Sequence, residues 1–165
     1  MIVAIDVQYD GNSGRAGLVT FRRWSDGLPE STLTHVCCNC LPYEPGRFFL
    51  RELPVIMESI ALVKPRIEVL VVDGYVDLDE TGTPGLGRRL FDTLQGKVQI
   101  VGVAKSRFRD STHAVEILRG DSERPLFITA AGISSTVAAN FVSSMHGPNR
   151  IPTLLKLADS LARGN

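Results

Sequence analysis

The sequence predicts an α/β fold in which a mixed β-sheet carries helices on both faces. Three stretches near the N-terminus read as strands separated by short turns, which indicates antiparallel pairing. Farther along, the apolar runs 67–74 and 98–105 alternate with segments of helical periodicity. Such continuous apolar runs are typical of parallel strands that are buried on both faces.

The first three strands are predicted at residues 2–9, 15–24 and 31–39. A turn from Gly11 to Gly14 separates the first two, and so short a loop indicates an antiparallel hairpin. The turn sequence DGLPE separates the second strand from the third.

Helical spacing of apolar residues follows from Arg47 to Val63, and the sequence KPR ends this helix. A second helix is predicted at about 84–95, between the two buried strands. The segments AVEILRG and PLFITA form a later hairpin, and two helices at about 133–145 and 151–163 close the chain. This order of elements fits a ribonuclease H-like fold, and other α/β arrangements share the same order.

Composition limits the class of protein. The chain has 165 residues, 44% of them hydrophobic, so we expect one domain over residues 1–165 with a true core. Basic and acidic residues balance at 18 each, so any nucleic-acid-binding surface must be a local patch. No apolar run approaches the roughly 20 residues of a membrane span, and no signal peptide is visible. We therefore expect a cytoplasmic protein, without a membrane partner, whose thiols are reduced.

Three carboxylates stand out by their surroundings. Asp6 lies within an apolar strand, where burying an unpaired charge costs several kcal/mol. Asp73 ends the strand predicted at 67–74, and sites in open α/β sheets lie at the carboxyl ends of parallel strands. If these strands are adjacent, the two side chains are neighbours. Glu52 follows Phe48 and Phe49 by four and three positions, so it faces the sheet rather than water.

Three converging acids would repel one another, and a cation makes such a cluster tolerable. Oxygen ligands suit Mg²⁺ or Mn²⁺. For any one acid, pairing with arginine or exposure at a strand end is the commoner situation, whereas the three together favour metal. Lys105 ends the next buried strand, where it could neutralise a phosphate or be an ordinary solvated lysine.

The cysteines cluster in the sequence VCCNC, as Cys37, Cys38 and Cys40. Cys38 and Cys40 would share one strand face, which permits a zinc site. Structural zinc usually takes four ligands at wider spacing, so small apolar residues on a strand are the favoured interpretation.

Five sequence blocks, in order along nearly the whole chain, resemble the endonuclease V family, which nicks nucleic acid near deaminated adenine (inosine). The blocks are AIDVQY, LPYEPGRFFLRELPVI, VLVVDGY, IVGVAKS and RIPTLLKLAD. Each alone is weak, but five in order with compatible spacing are fairly specific.

The resemblance implies a role for each matching residue. Asp6, Glu52 and Asp73 would be ligands of Mg²⁺, with Mn²⁺ as a substitute, and Lys105 would contact phosphate. A wedge loop would separate strands at the lesion, and Gly74 would allow close approach to the base edge. The substrate-binding positions implied are Pro42, Tyr43, Glu44, Pro45, Gly46 and Gly74.

Three departures from the family pattern indicate a shortened, divergent member. The family often has a histidine after the strand that corresponds to PLFIT, where this chain has Ala131 or Gly132. The segment after Asp73 reads GYVDLDETGTPG rather than Gly-His-Gly, and the family's additional N-terminal segment is missing before Asp6. Without a fourth active-site residue at position 131 or 132, we expect weaker metal binding and slow cleavage.

The sequence therefore favours a metal-dependent endonuclease that hydrolyses a phosphodiester bond near inosine in DNA or RNA, in repair or processing. Two alternatives stay open. One is a catalytically weakened or inactive nucleic-acid-binding relative, which the missing histidine and the neutral charge favour. The other is a nuclease with a different lesion or structure preference. The sequence leaves the oligomeric state undetermined.

Overall fold

The computed structural model describes residues 1–38, 40–42, 48–109 and 111–165, whose strands form one mixed sheet. The strands lie in the order β3-β2-β1-β4-β5-β7-β6. The elements are β1 (Ile2–Asp10), β2 (Ser13–Phe21), β3 (Ser31–Cys37), α1 (Phe48–Ala61), β4 (Val69–Asp73), α2 (Leu86–Thr93), β5 (Gln99–Ala104), β6 (Val115–Ile117), β7 (Leu126–Ala131), α3 (Ser135–Ser144) and α4 (Thr153–Arg163).

The pairing of the strands confirms the predicted fold class. β1, β2 and β3 are antiparallel neighbours, and the loop between β1 and β2 contains Gly11 in the left-handed conformation (φ 53°). β1, β4 and β5 are parallel and form the centre of the sheet. β7 runs antiparallel to β5, and β6 pairs with β7 as the predicted hairpin.

Alternating side chains of the central strands form two apolar cores, one on each face. Ala4 and Val71 belong to the core that is covered by α3 and α4. Ile5 and Val72 belong to the core that is covered by α1 and α2. Because side chains alternate along a strand, each residue at the carboxyl end of a strand lies on the same face as the residue two positions before it.

The second strand is shorter than predicted and ends at Phe21 rather than near residue 24. The Asp26 carboxylate accepts the backbone N–H groups of Arg22 (3.2 Å) and Arg23 (2.9 Å). These bonds turn the chain away from the sheet, and such local side-chain acceptors compete with strand pairing.

Helix α4 lies close against the sheet because Gly17 has no side chain. A Cβ atom at Gly17 would lie 2.6 Å from the Ala162 backbone nitrogen and would also strike the Ala158 carbonyl. Gly17 is the residue opposite Asp6 across the β1–β2 ladder. The close approach therefore places the middle of α4 beside Asp6.

Among the helices that the structure describes, none is long and apolar enough to cross a membrane.

Candidate active site

Asp6 and Asp73 lie side by side at the carboxyl ends of adjacent parallel strands. Ile5 is opposite Val72 in the β1–β4 ladder, so the next residues on the two strands are Asp6 and Asp73. By alternation both side chains point to the face that α4 covers. The adjacency expected from the sequence is thus present.

Glu52 approaches the same end of the sheet from α1, on the other face. Its side chain is buried (9% exposed), as the helical spacing predicted. It makes no hydrogen bond to another described residue. Burial, and then the charges of Asp6 and Asp73, raise the pKa of Glu52 to about 8.

The Asp6 carboxyl is also held in an environment that disfavours its charge. Burial, contact with the Asp159 carboxyl and the charge of Asp73 raise the pKa of Asp6 to about 6. The Val7 N–H, which donates to Asp6 Oδ1 at 2.8 Å, and the Lys105 ammonium act in the opposite direction. Negative charge therefore exceeds what these neighbouring donors neutralise.

Asp159 on α4 is a site residue that the sequence analysis did not identify. Arg163, which donates to Asp159 Oδ2 at 2.9 Å, lowers the pKa of Asp159. The other oxygen, Oδ1, is buried without a hydrogen-bond partner among the described residues. The contact between the two carboxyl groups lowers the pKa of Asp159 and raises that of Asp6. The available signal was the block RIPTLLKLAD, in which Asp159 follows the buried Ala158.

Lys105 lies at the end of β5 and pairs with Asp73. Its Nζ atom is 2.6 Å from Asp73 Oδ2, and about half of its side chain is exposed. Arg150 donates to the Lys105 carbonyl, and also to the Pro125 carbonyl at 2.7 Å. The ammonium is therefore both placed beside the carboxylates and reachable from solvent.

A cavity of about 410 Å³ opens between α4 and the carboxyl ends of the central strands. Its volume falls in the range of ordinary small-ligand pockets. Apolar side chains such as Val103 and Leu155 form part of its wall. Charged residues that also line it are Asp6, Asp73, Lys105, Arg150, Lys156 and Asp159.

The donor set fits a hard divalent cation, although the ligand cage is not closed. Within the described ranges, no three histidine, cysteine, aspartate or glutamate side chains converge on one point. Asp6, Asp73 and Asp159 instead line one cavity, in which Asp159 Oδ1 has no hydrogen-bond partner among the described residues, and the buried Glu52 side chain approaches from the other face of the sheet. A cation with oxygen ligands would satisfy these groups, with water completing its coordination.

The predicted substrate-binding residues have different outcomes. Pro42 is exposed, whereas Tyr43, Glu44, Pro45 and Gly46 lie outside the described residues. Gly74 has φ +129°, and a Cβ atom there would meet nothing within 4 Å. The open space at Gly74 is compatible with close approach of a ligand, so its role stays a prediction.

The expected position of a fourth active-site residue was wrong. Ala131 is opposite Ile100 in the β5–β7 ladder, near the beginning of β5, whereas the carboxylates lie at the opposite end of the sheet. Ala131 is buried, and Gly132 lies against Phe91 and Gln99. Because β7 is antiparallel to β5, its C-terminal end points away from the carboxylates, and a histidine there would not reach them.

The cysteines match the favoured interpretation, small apolar residues on a strand, only in part: Cys37 ends β3, Cys38 is exposed after the strand, and Cys40 is buried beyond it. All three are free thiols, and Cys40 is buried with its Sγ donating to the Cys37 carbonyl at 3.4 Å. Burial, the Cys40 thiol and the Glu58 carboxylate raise the pKa of Cys37 to about 12. Such a thiol is a poor nucleophile and a poor metal ligand at neutral pH.

Known structures share this fold. An endonuclease V from Streptomyces avermitilis is 24% identical, with a TM-score of 0.77 over 99% of this chain and 79% of that one. Endonuclease V from Ciona intestinalis, in complex with a 24mer DNA containing an inosine followed by a ribo-adenosine, is 19% identical, with a TM-score of 0.80 over 99% and 84% of the two chains. Endonuclease V from Bacillus subtilis is 16% identical, with a TM-score of 0.75 over 99% and 78%.

The class of protein defined by the sheet and its helices is therefore an α/β fold of the endonuclease V type. The family model described as endonuclease V matches residues 1–124. The chain belongs to the endonuclease V family. No curated protein matches the sequence at a significant level.

Proposed function

We propose that this protein is a metal-dependent endonuclease that hydrolyses a phosphodiester bond near inosine in nucleic acid. The observation that carries the proposal is the cluster of Asp6, Asp73, Asp159 and Glu52 at one end of the sheet, beside the Lys105 ammonium. Family membership and the inosine-containing DNA bound by the Ciona intestinalis relative support it.

Asp6, Asp73, Asp159 and Glu52 would hold Mg²⁺ or Mn²⁺. When bound, the cation would activate water and stabilise the negative charge that develops on phosphate. At pH 7 the proton to be lost would be the one on Glu52, because a ligating carboxylate must be ionised.

Lys105 would bind the phosphate that is attacked. Its ammonium is half-exposed, and in the free protein it forms an ion pair with Asp73. In the complex, substrate phosphate would replace Asp73 as the partner of that ammonium, and Asp73 would be one of the residues that hold the cation. This exchange keeps the net charge of the site low in both states.

The apolar wall of the cavity would exclude bulk water from the reacting phosphate. Val103 and Leu155 line it directly beside the charged rim. In such surroundings the interactions of Lys105 with phosphate are stronger than in water.

A nicking assay tests this function. End-labelled strands with a single inosine, and matched strands with adenine, are incubated with the protein in Mg²⁺, in Mn²⁺ and in chelator, as DNA and as RNA. We expect cuts near inosine in either cation and none in chelator. Cleavage that persists in chelator would contradict the metal site. Retained inosine-strand binding with no cleavage in any metal would favour the non-catalytic binding protein.

A further inference from the structure

The segment that follows Lys105 is fastened to the segment that follows Asp73 by one side chain, Tyr75. Its hydroxyl donates to the Ser106 carbonyl (3.2 Å) and accepts the Phe108 N–H (3.2 Å). Both partners lie within three residues of Lys105. A single hydroxyl thus holds the backbone on the C-terminal side of the ammonium-bearing residue.

The surroundings of Tyr75 keep this hydroxyl in place. The side chain is buried (7% exposed), and its ring lies 6.2 Å from Phe108 and 6.0 Å from His113 between ring centroids. Burial raises the pKa of Tyr75, so the phenol stays a neutral donor at neutral pH. Its rotamer is therefore fixed by packing rather than by the two hydrogen bonds alone.

Three contacts join the two strand ends. The Gly74 N–H donates to the Val103 carbonyl at 3.2 Å, the Lys105 ammonium pairs with Asp73 at 2.6 Å, and the Tyr75 hydroxyl bridges to Ser106 and Phe108. Along the chain, the contact at Val103 precedes Lys105, and the contacts at Ser106 and Phe108 follow it. They limit how far Lys105 can move relative to Asp73.

We propose that Tyr75 is a positioning residue for Lys105: its hydroxyl fixes the backbone after β5 so that the ammonium lies beside Asp73 at the phosphate position. The role of Lys105 at phosphate rests on the proposed function. The geometric part, Tyr75 restraining Lys105, does not depend on it. Arg150 restrains the same backbone from the α4 side, through the Lys105 carbonyl.

The substitution that tests the proposal is Tyr75→Phe, which keeps the ring and removes only the hydroxyl. We expect kcat for inosine-strand cleavage to fall roughly tenfold, with KM changed less than about twofold, because the ammonium is misplaced while the binding surface is intact. The matched control is Thr20→Val. Thr20 is also buried, and its Oγ1 accepts the Ser31 N–H at 3.0 Å and contacts Ser31 Oγ at 2.7 Å. It lies opposite Val3, at the other end of the sheet, so Thr20→Val should lower stability without changing kcat.

A double-mutant cycle separates positioning from simple stabilisation. If Tyr75 acts through Lys105, Tyr75→Phe should lower kcat no further in a Lys105→Ala background. Additive losses would overturn the proposal, as would an unchanged kcat in Tyr75→Phe.

A second readout needs no activity. Acylation of lysines by a small amine-reactive ester, followed by mass spectrometry, reports how accessible each ammonium is, with the exposed Lys64 and Lys97 as internal references. We expect Tyr75→Phe, but not Thr20→Val, to raise the relative rate at Lys105 roughly threefold, because the ion pair with Asp73 is loosened. An unchanged rate would contradict the positioning role even if the protein cleaves nothing. If no variant cleaves but this rate rises, the proposed function fails and the restraint by Tyr75 stands.

Discussion

At the scale of single residues, the site is defined by carboxylates whose charge the protein does not neutralise. The pKa values of Asp6 and Glu52 are both raised, chiefly by burial and then by neighbouring carboxyl groups. Burying such carboxyl groups together lowers the free energy of unfolding unless a cation compensates their charge. The same groups that weaken the metal-free protein are the ones that would attract a divalent cation.

The substitution Asp73→Asn should abolish cleavage with little effect on folding. Asp73 is exposed at the end of β4, so the isosteric amide keeps the packing while one charged ligand is lost. We expect a loss in kcat of about a thousandfold or more, measured by nicking of the inosine strand, and an unchanged unfolding temperature. The control is Asp92→Asn, since Asp92 is exposed on α2 away from the carboxylates. Activity of Asp73→Asn within tenfold of the wild type would contradict the ligand role.

The substitution Glu52→Gln should change how stability depends on pH. The folded-state pKa of Glu52, about 8, lies above its ordinary value of 4.5, so the folded protein binds the proton more tightly than the unfolded chain does. The stability that this group contributes is fully present below about pH 4.5 and is lost as the pH rises toward 8.

We therefore expect the metal-free wild type to lose about 2–4 kcal/mol relative to Glu52→Gln between pH 5 and pH 8. Urea unfolding in chelator at several pH values measures the difference. Parallel stability curves for the two proteins over this range would show that Glu52 is not destabilised by its surroundings.

At the same scale, the sequence predicted four residues of the candidate site and did not predict the fifth, Asp159. Asp6, Asp73 and Lys105 were recognisable because each interrupts or ends an apolar strand, and Glu52 because it falls on the buried side of a helical pattern. Asp159 carries no such mark. It borders the apolar stripe of α4, and only the packing of that helix on Gly17 brings it to Asp6.

At the scale of elements, the packing of α4 on β2 places the fourth carboxylate. We expect Gly17→Ala to push α4 outward, because the new methyl group would strike the Ala162 nitrogen and the Ala158 carbonyl. Mn²⁺ affinity should fall about tenfold together with stability. Gly87→Ala is the control, since its Cβ would lie 2.7 Å from Val76 Cγ2 on the other face of the sheet. It should lower stability without weakening Mn²⁺ binding, and equal losses of affinity in both variants would contradict the placement.

The direction of β7 decides what a histidine at its end can do. Ala131 is 3% exposed and lies in the core under α1 and α2. Ala131→His should therefore destabilise the protein by about 2–4 kcal/mol through overpacking and burial of a polar ring, and leave Mn²⁺ affinity unchanged. Thermal unfolding and Mn²⁺ titration measure the two effects. Tighter Mn²⁺ binding in this variant would show that the end of β7 reaches the carboxylates.

Element order was predictable from the sequence, whereas sheet order and strand direction were only partly so. Continuous apolar runs predicted β4 and β5, and turn residues between short strands predicted the hairpins. That β7 adds antiparallel beside β5 depends on contacts far apart in the chain, which no local pattern records. Because the direction of β7 was not predicted, the fourth active-site position was wrongly expected at Ala131 or Gly132.

At the scale of the whole molecule, a chain with no net charge brings four of its carboxyl groups, those of Asp6, Glu52, Asp73 and Asp159, to one end of its sheet. Three basic residues, Lys105, Arg150 and Lys156, line the cavity beside these carboxylates. A cation in the carboxylate cluster and a phosphate at these basic residues would balance each other. Binding of metal and of nucleic acid is therefore expected to be mutually favourable.

The most direct test of this account is calorimetric titration of the metal-free protein with Mn²⁺ at pH 7, repeated in buffers of different ionisation enthalpy. Because Glu52 has a pKa of about 8 and Asp6 one of about 6, we expect binding to release about one proton in the wild type. Glu52→Gln should bind Mn²⁺ with almost no proton release, Asp73→Asn should bind it at least tenfold more weakly, and Asp92→Asn should match the wild type. Equal affinity in all four proteins, or binding without proton release in the wild type, would contradict the claim that these carboxylates hold the cation.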